Sequence, residues 1–210
     1  MNNTVAEQVA SYLLQIKAIK LEPVHSFTWA SGWRSPIYCD NRKTLSYPEV
    51  RTYIRDQFVS LIRRKYPHAE VIAGVATGAI AQGALVAQEL GLPFVYVRSS
   101  AKGHGLENLI EGECKPGQKV VVVEDLISTG GSSLQAVEAL RNASCEVLGM
   151  VAIFTYGFQR AESNFASARC VLDTLSNYTA MIDLAVKTGY IKMEEVERLK
   201  AWRLSPETYE

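Results

Sequence analysis

Residues 119–133, KVVVVEDLISTGGSS, constrain this chain more than any other stretch. Four consecutive valines bounded by polar residues are too few for a helix, and β-branched side chains suit a strand covered on both faces, as in a parallel sheet. Glu124 and Asp125 follow at the carboxyl end of that strand, the side on which open α/β sheets bind their ligands. Ser128, Thr129, Gly130, Gly131 and Ser132 then form a turn, and Leu134, Val137 and Leu140 recur at helical spacing beyond it. Such a turn has free N–H groups, the positive end of a helix dipole, glycines that admit close approach and several hydroxyls, so it predicts a phosphate cradle. Two adjacent carboxylates beside a bound anion call for a divalent cation or a pair of hydroxyl donors between them. A plain strand-end turn with a helix N-cap explains the glycines but not the paired acids.

The rest of the chain repeats this strand, turn and helix grammar. Thr4 and Glu7 have capping-box spacing ahead of Val5, Val9, Leu13 and Ile16, predicting a helix to about Lys17. Residues 21–40 carry aromatics, Gly32, Pro23 and Pro36, which predict two short strands and a turn forming a small cap. Pro48 opens a second helix that ends near Tyr66. Residues 71–75 read as a strand, 76–78 as a tight turn, 80–90 as a helix closed by Gly91, and 94–97 as another strand. A long polar, glycine-punctuated segment follows, RSSAKGHGLENLIEGECKPGQ, which reads as a lid. Apolar runs at 147–154 and 170–173 and helical patches at 178–186 and 193–202 complete the chain. The alternation predicts an α/β fold, a mainly parallel doubly wound sheet with helices on both faces, in one domain spanning residues 1–210 with 18–42 as the cap.

Charge excludes some partners. The 22 Lys and Arg balance 22 Asp and Glu, so nothing draws the chain to nucleic acid or to an anionic membrane. No apolar stretch reaches spanning length and the N-terminus is amphipathic, which predicts a cytoplasmic protein. Cys39, Cys114, Cys145 and Cys170 are scattered, which predicts free thiols.

VVVVEDLISTGG resembles the phosphoribosyl pyrophosphate signature of the type I phosphoribosyltransferases: an apolar strand, two acids, two apolar residues and a Ser/Thr-rich glycine turn. The resemblance implies that Glu124 and Asp125 contact the ribose hydroxyls, that the stretch Leu126, Ile127, Ser128, Thr129, Gly130, Gly131 and Ser132 wraps the 5′-phosphate, and that Thr77, Gly78 and Ala79 of GVATGAI meet the pyrophosphate. Two further segments are similar to the orotate-using branch of that family. RSSAKGHGLENLIEG is similar to its mobile catalytic loop, which implies that Arg98, Lys102 and His104 act on the pyrophosphate and that the loop reaches the active site of a partner subunit in a homodimer. Ser99, Ser100 and Ala101 stand where family loops carry a further lysine. FTWASGWRSPIYCDNR is similar to the orotate-side segment, placing Tyr38, Cys39 and Ser128 at the base, with Ala30 where some members have lysine.

The implied reaction joins orotate to phosphoribosyl pyrophosphate, with Mg2+ bound through the pyrophosphate and Asp125 as its candidate protein ligand. Asp125 also joins Lys102, His104 and Arg98 as a candidate catalytic residue. A purine phosphoribosyltransferase would share the phosphate loop but not the FTWASG and GHG segments, and a nucleic-acid-binding regulator on this fold would carry a basic surface or an added domain. A generic nucleotide-binding α/β domain explains the strand and turn but not the lid.

Overall fold

The computed structural model describes residues 3–23, 27–29, 32–99 and 109–208. In chain order it contains α1 (Asn3–Gln15), β1 (Ile19–Leu21), β2 (Phe27–Thr28), β3 (Arg34–Ser35), β4 (Ile37–Cys39), α2 (Pro48–Lys65), β5 (Val71–Val75), α3 (Ile80–Leu90) and β6 (Phe94–Val97). The second half adds β7 (Ile110–Glu111), β8 (Lys119–Ile127), α4 (Gly131–Asn142), β9 (Glu146–Thr155), α5 (Gln159–Ser167), β10 (Leu172–Asn177), α6 (Tyr178–Lys187) and α7 (Val196–Leu204).

Six strands form the main sheet in the order β10-β9-β8-β5-β6-β7, parallel throughout except for the antiparallel edge β7. Alternation of side chains along β8 splits the core in two. Val121 and Val123 point to a cluster built with α1, α2, α3, α6 and α7, while Val120 and Val122 point to one built with α4 and α5. All four valines are fully buried, each contributing about 1.5–3 kcal/mol of apolar transfer. The doubly wound architecture expected of the sequence is therefore present.

Local signals explain the helix ends. Pro48 supplies the first turn of α2, and Arg63, Arg64 and Lys65 occupy its last turn, where cations favour the negative dipole end. Gly91 closes α3 with φ 69°, a left-handed conformation that glycine adopts without cost.

Some expectations need correction. The cap holds four short strands rather than two, paired antiparallel as β1 with β4 and β2 with β3; Pro23 and Pro36 lie between the two ribbons, and Gly32, at φ 85°, lies in the turn joining β2 to β3. Strand β8 continues past the acid pair to Ile127, since β9 carries the ladder as far as Ile127 opposite Thr155. The last strand starts at Leu172, not Cys170. Helix α5 was not expected: its apolar contribution reduces to Ala161 and Phe165, too sparse for a periodic signal. All four cysteines are free thiols, with the Cys114 and Cys145 sulfurs 2.7 Å apart.

Candidate active site

The sheet order reverses between β5 and β8: the chain runs from β5 outward to β6 and then returns to the other side of β5 for β8. A crevice opens at the carboxyl ends of strands flanking such a switch point. Here those ends carry the turn at 76–79 and the acid pair with its glycine turn. A Cβ built on Gly78 would lie 2.4 Å from Asp125 Oδ2, so the Asp125 carboxyl rests directly on the backbone of the first turn.

The two acids take opposite faces of β8. Glu124 is buried beside α4, where its Oε2 accepts from Ser133 Oγ at 2.7 Å and its Oε1 from the Asp125 N–H at 2.8 Å. Burial, and next the charge of Asp125, push the Glu124 carboxyl up to about 8, so it is mostly protonated at neutral pH. The repulsion expected between two adjacent carboxylates is relieved by a proton on the buried one. Asp125 is half-buried and faces the crevice.

The glycine turn after β8 is braced from behind. Gly130 adopts φ 80° as the residue preceding α4, and a Cβ there would lie 2.7 Å from the Phe165 ring. Asn164 Nδ2 donates to Thr129 O at 2.9 Å, so α5 holds both the carbonyl and the underside of the turn. Among the described residues, the N–H groups of Thr129, Gly130, Gly131 and Ser132 donate to no protein acceptor, and no side chain caps the helix. Four unpaired amides at a helix N-terminus form an anion cradle. In the facing turn the Thr77 and Gly78 amides are likewise unpaired, but the Ala79 N–H already donates to Val75 O at 3.0 Å as the chain coils into α3. Of the three amides expected at the pyrophosphate, that of Ala79 is thus already paired within the protein.

An open cavity of about 330 Å³ lies between the cap and the sheet, lined by Thr28, Trp29, Tyr38, Cys39 and Arg42 from the cap side and by Leu126, Ser128 and Tyr156 from the sheet side. The structure thus brings Tyr38, Cys39 and Ser128 together as the sequence predicts. Burial pushes both the Cys39 thiol and the Tyr156 phenol well above their usual ranges, so both stay neutral. Asn41 joins the cavity to the acid strand: its Nδ2 donates to Asp125 O at 2.6 Å and its Oδ1 accepts from Cys39 Sγ at 3.3 Å.

Several contributors escape sequence reading. Ser133, Asn164 and Phe165 support the acid and the turn from elements with no motif of their own. Trp202 of α7 is fully buried, donates from Nε1 to Arg34 O at 3.3 Å, and packs edge-on against Trp29 and Tyr156 at centroid distances of 5.7 and 5.6 Å. The C-terminal helix therefore supports two of the aromatic residues that line the cavity. Arg98, expected at the pyrophosphate, pairs with Glu111 at 3.4 Å in this structure. Lys102 and His104 lie outside the described residues.

A doubly wound sheet with an unpaired amide cradle and a carboxylate at its switch point defines a phosphosugar- or nucleotide-binding α/β protein. A family model described as phosphoribosyl transferase domain matches residues 45–188, and the chain belongs to that family. It is 63% identical over 206 residues to an orotate phosphoribosyltransferase of Porphyromonas gingivalis, covering 98% of both chains. It is 61% identical over 201 residues to the protein of the same name from Bacteroides fragilis, covering 96% of this chain and 95% of that one. The orotate phosphoribosyltransferase structure from Aeropyrum pernix superposes with a TM-score of 0.76 at 27% identity, covering 88% of this chain and 99% of the other. The family model leaves out the cap, whereas the curated relatives span it.

Proposed function

We infer that this protein transfers the phosphoribosyl group of 5-phosphoribosyl 1-pyrophosphate to orotate, giving orotidine 5′-monophosphate and pyrophosphate in pyrimidine biosynthesis. The observation that carries this reading is the junction at Asp125. One end of the crevice offers unpaired amides for a 5′-phosphate, the other opens on a cavity lined by aromatic side chains with room for a flat ring, and Asp125 lies on the strand that leads to both.

Breaking the bond at ribose C1 leaves positive charge on the sugar and negative charge on the departing pyrophosphate. A site for this step works by holding both charges and needs no covalent nucleophile. The amides of 129–132 hold the 5′-phosphate, and the Thr77 and Gly78 amides face the leaving group. Asp125 accepts hydrogen bonds from the ribose hydroxyls and favours positive charge on the ring above it. Glu124 stands behind it, its two oxygens accepting from Ser133 Oγ and from the Asp125 N–H.

Among the described residues no three His, Cys, Asp or Glu gather as a metal cage. The half-buried Asp125 carboxylate beside the amide cradle fits Mg2+ that arrives on the pyrophosphate, since magnesium is commonly held by one or two carboxylates plus substrate phosphates. Asp125 would help hold the ion, whose charge would offset that of the leaving group.

Lys102, His104 and Arg98 complete the site from the lid, supplying positive charge to the pyrophosphate, excluding water and reaching across a homodimer. For Arg98 this requires leaving Glu111. The 210 residues act as one unit in the cytoplasm, with 18–42 closing over the base. The balanced charge of the chain supports this reading over a nucleic-acid-binding role.

The direct test follows the ultraviolet absorbance of orotate after adding protein, phosphoribosyl pyrophosphate and magnesium, with adenine, hypoxanthine and uracil in parallel. Orotate alone is consumed. Consumption of a purine with orotate untouched would overturn the assignment.

A further inference from the structure

Arg42 carries the only formal charge among the described residues lining the cavity under the cap; its other walls are aromatic, apolar or neutral. The arginine is held in place. Its Nε donates to Asp40 Oδ1 at 2.7 Å, which orients the planar guanidinium, while its terminal nitrogens make no hydrogen bond among the described residues and its side chain is 61% exposed. Its backbone neighbour Asn41 is tied to the acid strand through Asp125 O. The charge of Asp125 also acts on Arg42, so the guanidinium stands on the side of the cavity toward the acid strand.

That placement matches one feature of the substrate. Orotate bears its carboxylate on the ring carbon next to the nitrogen that bonds to ribose, so with the nitrogen aimed at the sugar the carboxylate must lie at the sugar end of the cavity. We propose that Arg42 receives this carboxylate and is the residue by which the site selects a carboxylated pyrimidine over the same ring without one. The proposal rests on orotate occupying this cavity, as inferred above. A guanidinium oriented through Nε keeps one edge for two-point contact with a carboxylate, which an ammonium cannot reproduce.

The test compares equilibrium binding of orotidine 5′-monophosphate and uridine 5′-monophosphate, which differ only in that carboxylate, to the wild-type protein, Arg42→Gln and Arg42→Lys. Because the phosphate and ribose are common to both, uridine 5′-monophosphate affinity is the internal control for an intact fold. Wild-type protein binds the carboxylated nucleotide ~10–100-fold more tightly, as for a charge-assisted pair. Arg42→Gln abolishes that preference with uridine 5′-monophosphate binding unchanged, and raises KM for orotate but not for phosphoribosyl pyrophosphate. Arg42→Lys falls between. A wild-type protein that consumes orotate while Arg42→Gln keeps the full preference overturns the Arg42 assignment alone. A wild-type protein that ignores orotate overturns the functional reading beneath it.

Discussion

The Asp125 carboxyl and Gly78 Cα are packed so closely that a methyl group on Gly78 would sit 2.4 Å from Asp125 Oδ2 and 2.5 Å from its Cγ. Asp125 lies on β8 and Gly78 in the turn that follows β5, the two strands flanking the switch in sheet order, so their contact sets the width of the crevice. Gly78→Ala should displace the carboxyl rather than unfold the chain, because the atoms it strikes end a movable side chain. Turnover should fall ~100-fold or more, as when one charge-stabilising group is misplaced, with the melting temperature nearly unchanged. Steady-state kinetics beside a thermal melt checks this, and an equal loss of stability would point instead to a packing role for Gly78.

The phosphate end of this site was legible in the sequence because its parts are contiguous: strand, acids and turn lie within residues 119–133, and each has its own local signature. The supports were not legible, since they depend on distance in space. Asn164 and Phe165 reach the turn from α5, and Trp202 packs behind Trp29 and Tyr156 from α7; their spacing has no periodic or motif signal. The capture of the Ala79 amide by Val75 O follows from where α3 starts, a boundary that composition alone places only to within a few residues. Likewise the pair Glu124-Asp125 reads as two equivalent acids until the pleat sends one to each face.

Glu124 predicts a pH dependence. Its carboxyl is raised by burial to about 8 in the folded protein, against 4.5 as the ordinary value. The folded state therefore binds more protons than the unfolded state between those limits, and stability falls as pH rises through this window. Glu124→Gln, which remains neutral, should flatten the decline. Melting temperatures of both proteins from pH 5 to 8 provide the check, with each ~1 kcal/mol worth about 2–4 °C for a chain of this size. Parallel curves would contradict the burial argument.

Asn41 should matter to both halves of the site. Its side chain is buried and bridges Cys39 to Asp125 O. Asn41→Ala leaves that carbonyl unpaired, costing about 1–3 kcal/mol of stability, and frees the cap from the acid strand. KM for orotate and for phosphoribosyl pyrophosphate should rise together in steady-state assays; a rise for orotate only would confine Asn41 to the cap.

Lys102→Ala tests the lid. Loss of one cation directed at the leaving group should lower kcat by roughly 100-fold or more, while affinity for orotidine 5′-monophosphate, which carries no pyrophosphate, stays close to wild type. Kinetics and nucleotide titration together separate these effects. Matching losses in both would remove the lysine from the lid role.

The most direct measurement is a crystal structure of the protein with orotidine 5′-monophosphate. The 5′-phosphate should lie within hydrogen-bond distance of the N–H groups of Thr129, Gly130, Gly131 and Ser132, with a ribose hydroxyl on Asp125 and the ring in the cavity beside Trp29 and Tyr156. A nucleotide bound elsewhere, with those four amides still turned to water, would contradict the account.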